Sequence, residues 1–386
     1  MKRIAIAAFA LLAAALFGGA ANAQDTVKVG MIISLSGQFA DTGTQMLNGA
    51  KLYMKQHGDT VAGKKIELIV KDVGGINPPV AKRLAQELIT RDNADVIAGF
   101  DLTPNALAAA DVSAEAKKFM VDMNAATAVV ITKSPYMVRT SMTIPQLNQT
   151  LGTWAEKSGV KKAYTMVADF GPGIDAEGAF SKGFQGAGGS VVGSVRMAVA
   201  NPDFSAYVSR AKDLDPQGIF VMIPGGAMPG AFGKALAERN IDPKKTKVMG
   251  QMEITDEHAL ASMGDLALGM ITVAHYDYNL KNKTNVAFVK AFNDEYKRNP
   301  DFFAVGGYDG MHVIYAALAK TKGNTDGQAL VDAAKGLKWE SPRGPMSIDP
   351  ETRDVVQNVY IRKVEKVNGK LVNVEIAKFE NVKSPK

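Results

Sequence analysis

The sequence predicts an α/β protein of two lobes, each a mostly parallel sheet flanked by helices. Three observations predict it. Short apolar runs alternate with stretches of helical periodicity, the pattern of βαβ units. The chain has 386 residues, more than one typical domain. The strand–loop–helix plan of its first third also returns in its second, with Asn77-Pro78-Pro79 and Asn201-Pro202 at matching places.

The first element stands apart from the fold. Lys2 and Arg3 form a positive end, and the apolar run 4–17 is shorter than the roughly 20 residues a membrane span needs. Ala21-Asn22-Ala23 is a small-residue cleavage site. The reading is a signal peptide over 1–23 and a soluble mature chain, starting at Gln24, in a bacterial periplasm. The absence of cysteine excludes disulfides, thiolate catalysis, Cys-ligated metal and lipid attachment through Cys. The net charge of +6 is dispersed along the chain, which argues for an ordinary solvated surface and against a nucleic-acid footprint.

The mature chain opens at 27–54 with a strand, a polar Ser-Gly loop and a helix. A loop of that kind beside a helix N-terminus suits an anionic small molecule. A strand over 65–71 follows, then a helix started by Asn77-Pro78-Pro79, with proline suited to the first turn. Ala81, Leu84, Ala85, Leu88 and Ile89 form one apolar stripe of that helix. The strand 95–99 leads through Phe100-Asp101-Leu102-Thr103 into a helix near Pro104.

The second round runs through a strand at 162–168, a loop to Asp175, a helix over 176–187 and a strand at 190–197. A helix expected from Asn201-Pro202 then leads to a strand at 218–223. The end of the chain differs. Helices are expected over 284–298 and 304–320, then a joint at Ser341-Pro342-Arg343-Gly344-Pro345. Strands 355–364 and 371–378 alternate as a hairpin about Asn368-Gly369.

Enzyme signatures fail on inspection. Gly171-Pro172-Gly173-Ile174-Asp175-Ala176 matches a dinucleotide fingerprint between a strand and a helix. The next strand, 190–197, ends without the acid expected for the ribose, so a glycine-rich turn is the better reading. Ser158-Gly159-Val160-Lys161 lacks the partner motifs of its class. His57, His258, His275 and His312 show no metal-ligand spacing, and His275 reads as a satisfied structural histidine. No catalytic residue, metal or cofactor is expected.

Four segments carry a resemblance: Leu35-Ser36-Gly37, Asn48-Gly49-Ala50, Ser134-Pro135-Tyr136-Met137-Val138-Arg139 and Gly307-Tyr308-Asp309-Gly310. In order and spacing they resemble the periplasmic solute-binding proteins of ABC importers, of the leucine/isoleucine/valine-binding type, over essentially the whole mature chain. The resemblance implies two lobes joined by three crossovers, closing on a ligand like a hinged trap. Lobe I would be 25–142 plus 276–336, and lobe II 143–275 plus 337–386. It also implies a monomeric receptor that serves an ABC permease and its ATPase subunits. A sensing module of the same fold and a periplasmic enzyme are the alternatives.

Ligands of open α/β sheets bind beyond the carboxyl ends of the strands. The loops 34–43, 100–105, 124–128, 169–173, 225–228, 251–254 and 274–278 are therefore expected around the ligand. The resemblance implies that Thr103, Ala126 and Thr127 hold a ligand carboxylate. Helix capping by Thr103 and a plain turn at Thr127 are the bland alternatives. Members that bind amino acids present a carboxylate from lobe II to the ammonium, and Glu253 is the nearest match. Met252 is one residue out of register, with Asp169 and Asp277 as weaker alternatives. Thr42 stands where many members carry an aromatic residue.

Phe39, Phe100, Phe170, Met228, Met252 and Tyr276 lie in the same loops. Each could be core instead, but together they suggest an apolar, adaptable cavity. The expected ligand is a small hydrophobic carboxylate: a branched-chain or aromatic amino acid, or an aryl carboxylic acid. A buried ammonium without a carboxylate partner costs on the order of several kcal/mol, so the aim of Glu253 separates these.

Overall fold

The computed structural model describes residues 25–385 except 200, 201 and 226. The leader, its cleavage site and the start at Gln24 lie outside the described residues. The first half runs β1 (Thr26–Ile33), α1 (Ala40–His57), β2 (Thr60–Val61), β3 (Lys64–Asp72), α2 (Pro78–Thr90), β4 (Val96–Gly99), α3 (Thr103–Ala116), β5 (Phe119–Asp122) and β6 (Met137–Arg139). Its sheet has the order β2-β3-β1-β4-β5-β6, parallel except for β2 on β3.

After α4 (Ile144–Lys157) come β7 (Lys162–Ala168), α5 (Gly171–Gly186), β8 (Ser190–Met197), α6 (Phe204–Asp213), β9 (Gly218–Met222), α7 (Met228–Glu238), β10 (Lys247–Gln251), α8 (Glu257–Met263) and β11 (Ile271–Ala274). These strands stand in the parallel order β8-β7-β9-β10-β11. Leaving aside the short hairpin strand β2, both halves follow one plan: second strand, first, third, fourth, fifth. In each, the strand order reverses beside the first strand, where open α/β sheets form a crevice.

Both sheets are buried on their two faces, as parallel sheets are. Val29, Met31 and Ile33 of β1 pack into one cluster with Met46 and Ala50 of α1. Ile32 packs into another with Leu84, Ala85 and Leu88 of α2. The predicted α2 stripe is thus the sheet-facing side, and Asn77 caps that helix by accepting the Val80 N–H.

The chain then returns to the first sheet. α9 (Lys283–Tyr296), α10 (Phe302–Lys320) and α11 (Gly327–Ala334) follow, and Met311, Ile314, Leu330 and Val331 join the β1 cluster. It crosses again into β12 (Lys338–Ser341), β13 (Gly344–Ile348), β14 (Val355–Val367) and β15 (Lys370–Val382), which extend the second sheet antiparallel from β11. The long hairpin turns at Asn368 and Gly369, both at positive φ, as a tight two-residue turn requires.

One sequence expectation is corrected, and another is sharpened. The joint at 341–345 is a tight turn, with Ser341 paired to Gly344. Arg343 in this turn is fully buried, drawn inward by Asp309 and by the backbone carbonyls of Thr140 and Ser141. The helix expected at Asn201-Pro202 starts instead at Phe204, where Asp203 accepts the Ser205 N–H at 3.0 Å. Asn201 lies outside the described residues.

Three crossovers join the sheets, and buried arginines bind them. Arg343 donates to Asp309 Oδ2 from Nε at 2.9 Å and Nη2 at 2.7 Å, and to Gln357 Oε1 and the Ser141 carbonyl from Nη1. Arg362 donates to Asp277 Oδ2 at 2.7 Å.

Candidate ligand-binding site

A cavity of about 320 Å³ opens between the two sheets, where both topologies reverse. From the first sheet it is walled by the segments after β1 (Phe39, Asp41, Thr42), β4 (Asp101–Pro104) and β5 (Asn124–Ala126). From the second it is walled by the segments after β7 (Phe170, Pro172), β9 (Ile223–Gly225) and β10 (Glu253, Asp256), with Gln251 at the end of β10. Asp301, Phe302 and Phe303 at the start of α10 close it.

Equivalent glycines bring the first helix of each half against its preceding strand end. A Cβ on Gly43 of α1 would lie 1.8 Å from the Ser34 carbonyl oxygen, and one on Gly173 of α5 1.9 Å from that of Ala168. Close approach, not a dinucleotide, explains Gly173 of the Gly-Pro-Gly run, whereas a Cβ on Gly171 would meet nothing within 4 Å.

On the first wall Thr103 and Thr127 are buried, and their hydroxyls lie 2.9 Å apart. Leu102, not Thr103, holds the cap position of α3, and Thr127 makes no side-chain cap to the 3-10 turn Ala128–Lys133. Thr103 is therefore not the helix cap, while Thr127 does open a turn, its carbonyl accepting the Val130 N–H, and the two hydroxyls pair. One hydroxyl uses its proton on the other, and the second keeps a proton for a further acceptor. Thr103 sits in the first turn of α3, whose N-terminus favours negative charge.

This wall is braced from below. Arg139 is fully buried and donates from Nη1 to the Thr127 carbonyl at 3.1 Å while pairing with Asp354 at 3.0 Å. Asp122 accepts the N–H groups of Asn124 and Ala125, which shapes the turn carrying Ala126. Burial pushes the Asp122 carboxyl up to about 7.

On the second wall Gln251 is 2% exposed, and neither its amide oxygen nor its amide nitrogen has a hydrogen-bond partner among the described residues. Glu253 is half-buried as a residue, but its Oε2 is sealed from solvent and also lacks a partner. Burial pushes the Glu253 carboxyl up to about 7. The other carboxylates at the cavity are already engaged. Asp101 accepts the Ser34 N–H and the Thr42 hydroxyl, at 3.3 and 3.0 Å. Asp256 caps α8, and Asp301 caps α10 through the N–H groups of Phe303 and Ala304. Burial raises all three carboxyls, Asp301 to about 7.

Between the polar walls the lining is apolar: Phe39, Met142, Ile144, Phe170, Ile223 and Phe302 contribute. Of the residues selected from the sequence, Phe39, Thr103, Ala126, Phe170 and Glu253 line the cavity, and Thr127 stands behind Thr103. Phe100, Met228 and Tyr276 do not line it. Phe100 takes a positive φ of 70°, which turns its ring into the core beside α2 and leaves Asp101 at the cavity. Met228 packs at the edge of the core under α7. Tyr276 and Met252 line a smaller side pocket of about 100 Å³.

Asp169 is exposed, and Asp277 is committed to Arg362. His275 is not the satisfied histidine expected: both ring nitrogens are buried without partners, and burial lowers its pKa well below the usual value. Sequence reasoning missed Gln251, Asp101 and Asn124 as individual residues, although their loops were singled out.

Two hydrogen bonds link the sides of the cleft. The Ala128 N–H donates to Asp175 Oδ2 at 2.7 Å, and Asn299 Nδ2 donates to Glu257 Oε1 at 2.7 Å.

Comparison with known proteins places this geometry. A family model described as periplasmic binding protein matches residues 26–370. A Leu/Ile/Val-binding protein homolog 6 of Brucella abortus (strain 2308) is 40% identical over 389 aligned residues, covering 100% of this chain and 99% of the relative. Two solved structures are similar throughout. The solute-binding protein of an ABC transporter from Rhodopseudomonas palustris BisB5, in complex with 3,4-dihydroxybenzoic acid, is 50% identical with a TM-score of 0.88; the match covers 94% of this chain and 99% of that one. Its counterpart from strain HaA2, in complex with p-hydroxybenzoic acid, is 39% identical with a TM-score of 0.89, covering 93% and 98%.

Proposed function

The chain belongs to the periplasmic binding protein family, and we propose that it is the solute receptor of an ABC importer that captures a small aryl carboxylate. The observation that carries this reading is Thr103 at the N-terminus of α3, on the wall of an aromatic and aliphatic cavity and with its hydroxyl paired to that of Thr127 behind it. One end offers hydrogen bonds and a helix dipole to a carboxylate. The rest offers apolar surface to a ring. Glu253, carrying its proton up to about pH 7, sets no full negative charge against such a ligand in mildly acidic to neutral solution. The two similar solved structures hold ligands of this class.

The mechanism is binding without chemistry. A ligand touching both walls favours the closed arrangement by its differential affinity for it. The bonds from Ala128 to Asp175 and from Asn299 to Glu257 then hold the closed cleft. The moving bodies are 25–142 plus 276–336 and 143–275 plus 337–386, with the crossover belt as hinge. The closed monomer delivers its ligand to a membrane permease and its ATPase subunits. Export by the leader and cleavage after Ala23 place it in the periplasm.

A second reading has one observation in its favour. Glu253 lines the cavity, where it would meet the ammonium of a branched-chain or aromatic amino acid. Titration calorimetry with 3,4-dihydroxybenzoate and with leucine separates the two. The aryl acid is expected to bind and leucine to give no heat at matched concentrations. Tight leucine binding would replace the first reading with the second.

A further inference from the structure

We propose that Gln251 and Glu253 form a subsite that reads a phenolic hydroxyl on the ring of the bound carboxylate, making this a receptor for hydroxylated aryl acids. The proposal rests on the aryl-carboxylate reading and adds to it the chemistry of the second wall.

The argument starts from hydrogen-bond accounting. Gln251 is the last residue of β10, and its amide is buried on the cavity wall with neither atom bonded. An unpaired buried polar group costs about 1–3 kcal/mol, so such groups in native proteins have partners or await one. Glu253, two residues on, lines the same cavity and carries a further buried atom, Oε2, without a partner among the described residues. The neighbouring polar side chain is already satisfied: the Thr255 hydroxyl donates to Asn373 Oδ1 and pairs with the Thr272 hydroxyl. The unmet demand in this short segment therefore belongs to two side chains, and both line the cavity.

The kind of demand selects the ligand group. The Gln251 amide brings a donor and an acceptor, and a carboxyl that holds its proton also brings one of each. A phenolic hydroxyl, both donor and acceptor, can satisfy either group, and two adjacent hydroxyls can satisfy both. An ammonium only donates, so it could serve Glu253 and the Gln251 Oε1 but would leave the Gln251 Nε2 donor unmet. An unsubstituted ring would leave both side chains unpaired. The subsite comes from the second sheet and Thr103 from the first. The ligand would thus bridge the walls, with its carboxylate on one and its hydroxyl on the other.

Calorimetry on the full mature protein tests this with benzoate, 4-methylbenzoate, 4-hydroxybenzoate and 3,4-dihydroxybenzoate, on wild type, Gln251→Met and Glu253→Leu. Wild type is expected to bind the hydroxylated acids at least about tenfold more tightly than 4-methylbenzoate, because a site built to bond a hydroxyl rejects the analogue lacking it. Each substitution should remove most of that preference. Equal wild-type affinity for all four acids would overturn the subsite and leave the aryl-carboxylate reading standing. So would variants that weaken benzoate and 4-hydroxybenzoate alike. Binding of leucine with none of the four acids would remove both. Because the wild-type series needs no variant, the test holds even if a substitution fails to fold.

Discussion

The crossover belt and the cleft both bury polar groups between the sheets, yet they treat them in opposite ways. In the belt, Arg343 spends each side-chain nitrogen on Asp309, Gln357 or a backbone carbonyl, and Arg362 is tied to Asp277. In the cleft, Asp101, Glu253 and Asp301 form no ion pair among the described residues, and Gln251 forms no side-chain hydrogen bond. Paired groups hold the architecture, whereas unpaired ones in a cavity are poised for something that arrives later. The contrast has exceptions, since among the described residues His275, Ser141 Oγ and Tyr276 OH in the belt are also buried without partners, and His275 is held neutral by burial.

The largest expected effect lies in the belt. Replacing Arg343 by Met leaves Asp309 buried without its cation, and such a loss costs about 3–5 kcal/mol. Urea unfolding of the ligand-free protein reads it directly, and adding Asp309→Leu should recover part of the loss. A cost below about 1 kcal/mol would break the claim that the belt's pairs are structural.

Thr103→Val in the cleft should do the reverse. Losing one hydroxyl bond costs folding about 1 kcal/mol, but losing a hydrogen bond to a charged group costs binding about 1.5–3 kcal/mol. Calorimetry should therefore show benzoate affinity falling by about tenfold or more, with a nearly unchanged unfolding midpoint. Unchanged benzoate affinity would move the carboxylate away from this wall.

A further effect is a pH dependence. The folded Glu253 carboxyl holds its proton up to about pH 7, against an ordinary value of 4.5. Between those values the native state binds a proton that the unfolded state has released, so the contribution of Glu253 to stability falls as pH rises. Glu253→Gln removes that dependence. The stability of the variant relative to wild type should climb by up to about 1.4 kcal/mol per pH unit between pH 4.5 and about 7, then level off. Denaturant midpoints of the pair at several pH values check this, and a constant difference would mean that Glu253 is solvated.

Much of the fold was legible because parallel βαβ units write themselves into the chain as alternating apolar runs and helical stripes. The Ala81-to-Ile89 stripe, the capping Asn77 and the Asn368-Gly369 turn are local features with local causes. The cleft loops were legible for the same reason, since ligand loops follow strand ends. Individual site residues were less so. Phe100 and Asp101 are adjacent, and a single left-handed φ decides which of them reaches the cavity. Gln251 belongs to no motif; what marks it is the absence of a partner, which only neighbours can reveal.

Alone, the sequence determined the fold class, the repeated topology and the family, because those depend on periodicity and on motifs that local chemistry enforces. Even there, the tertiary structure supplied a reason. Gly49 and Gly307, each within a segment that carried the resemblance, let α1 and α10 touch: a Cβ on either would fall within about 2 Å of the other helix's carbonyl oxygens. Only the tertiary structure decided which polar groups are paired and which are not. Arg343 found Asp309, Thr103 found Thr127, and Gln251 found nothing. Whether a buried group has a partner depends on what packing brings within hydrogen-bond reach, and residues far apart in the chain meet only in the folded molecule.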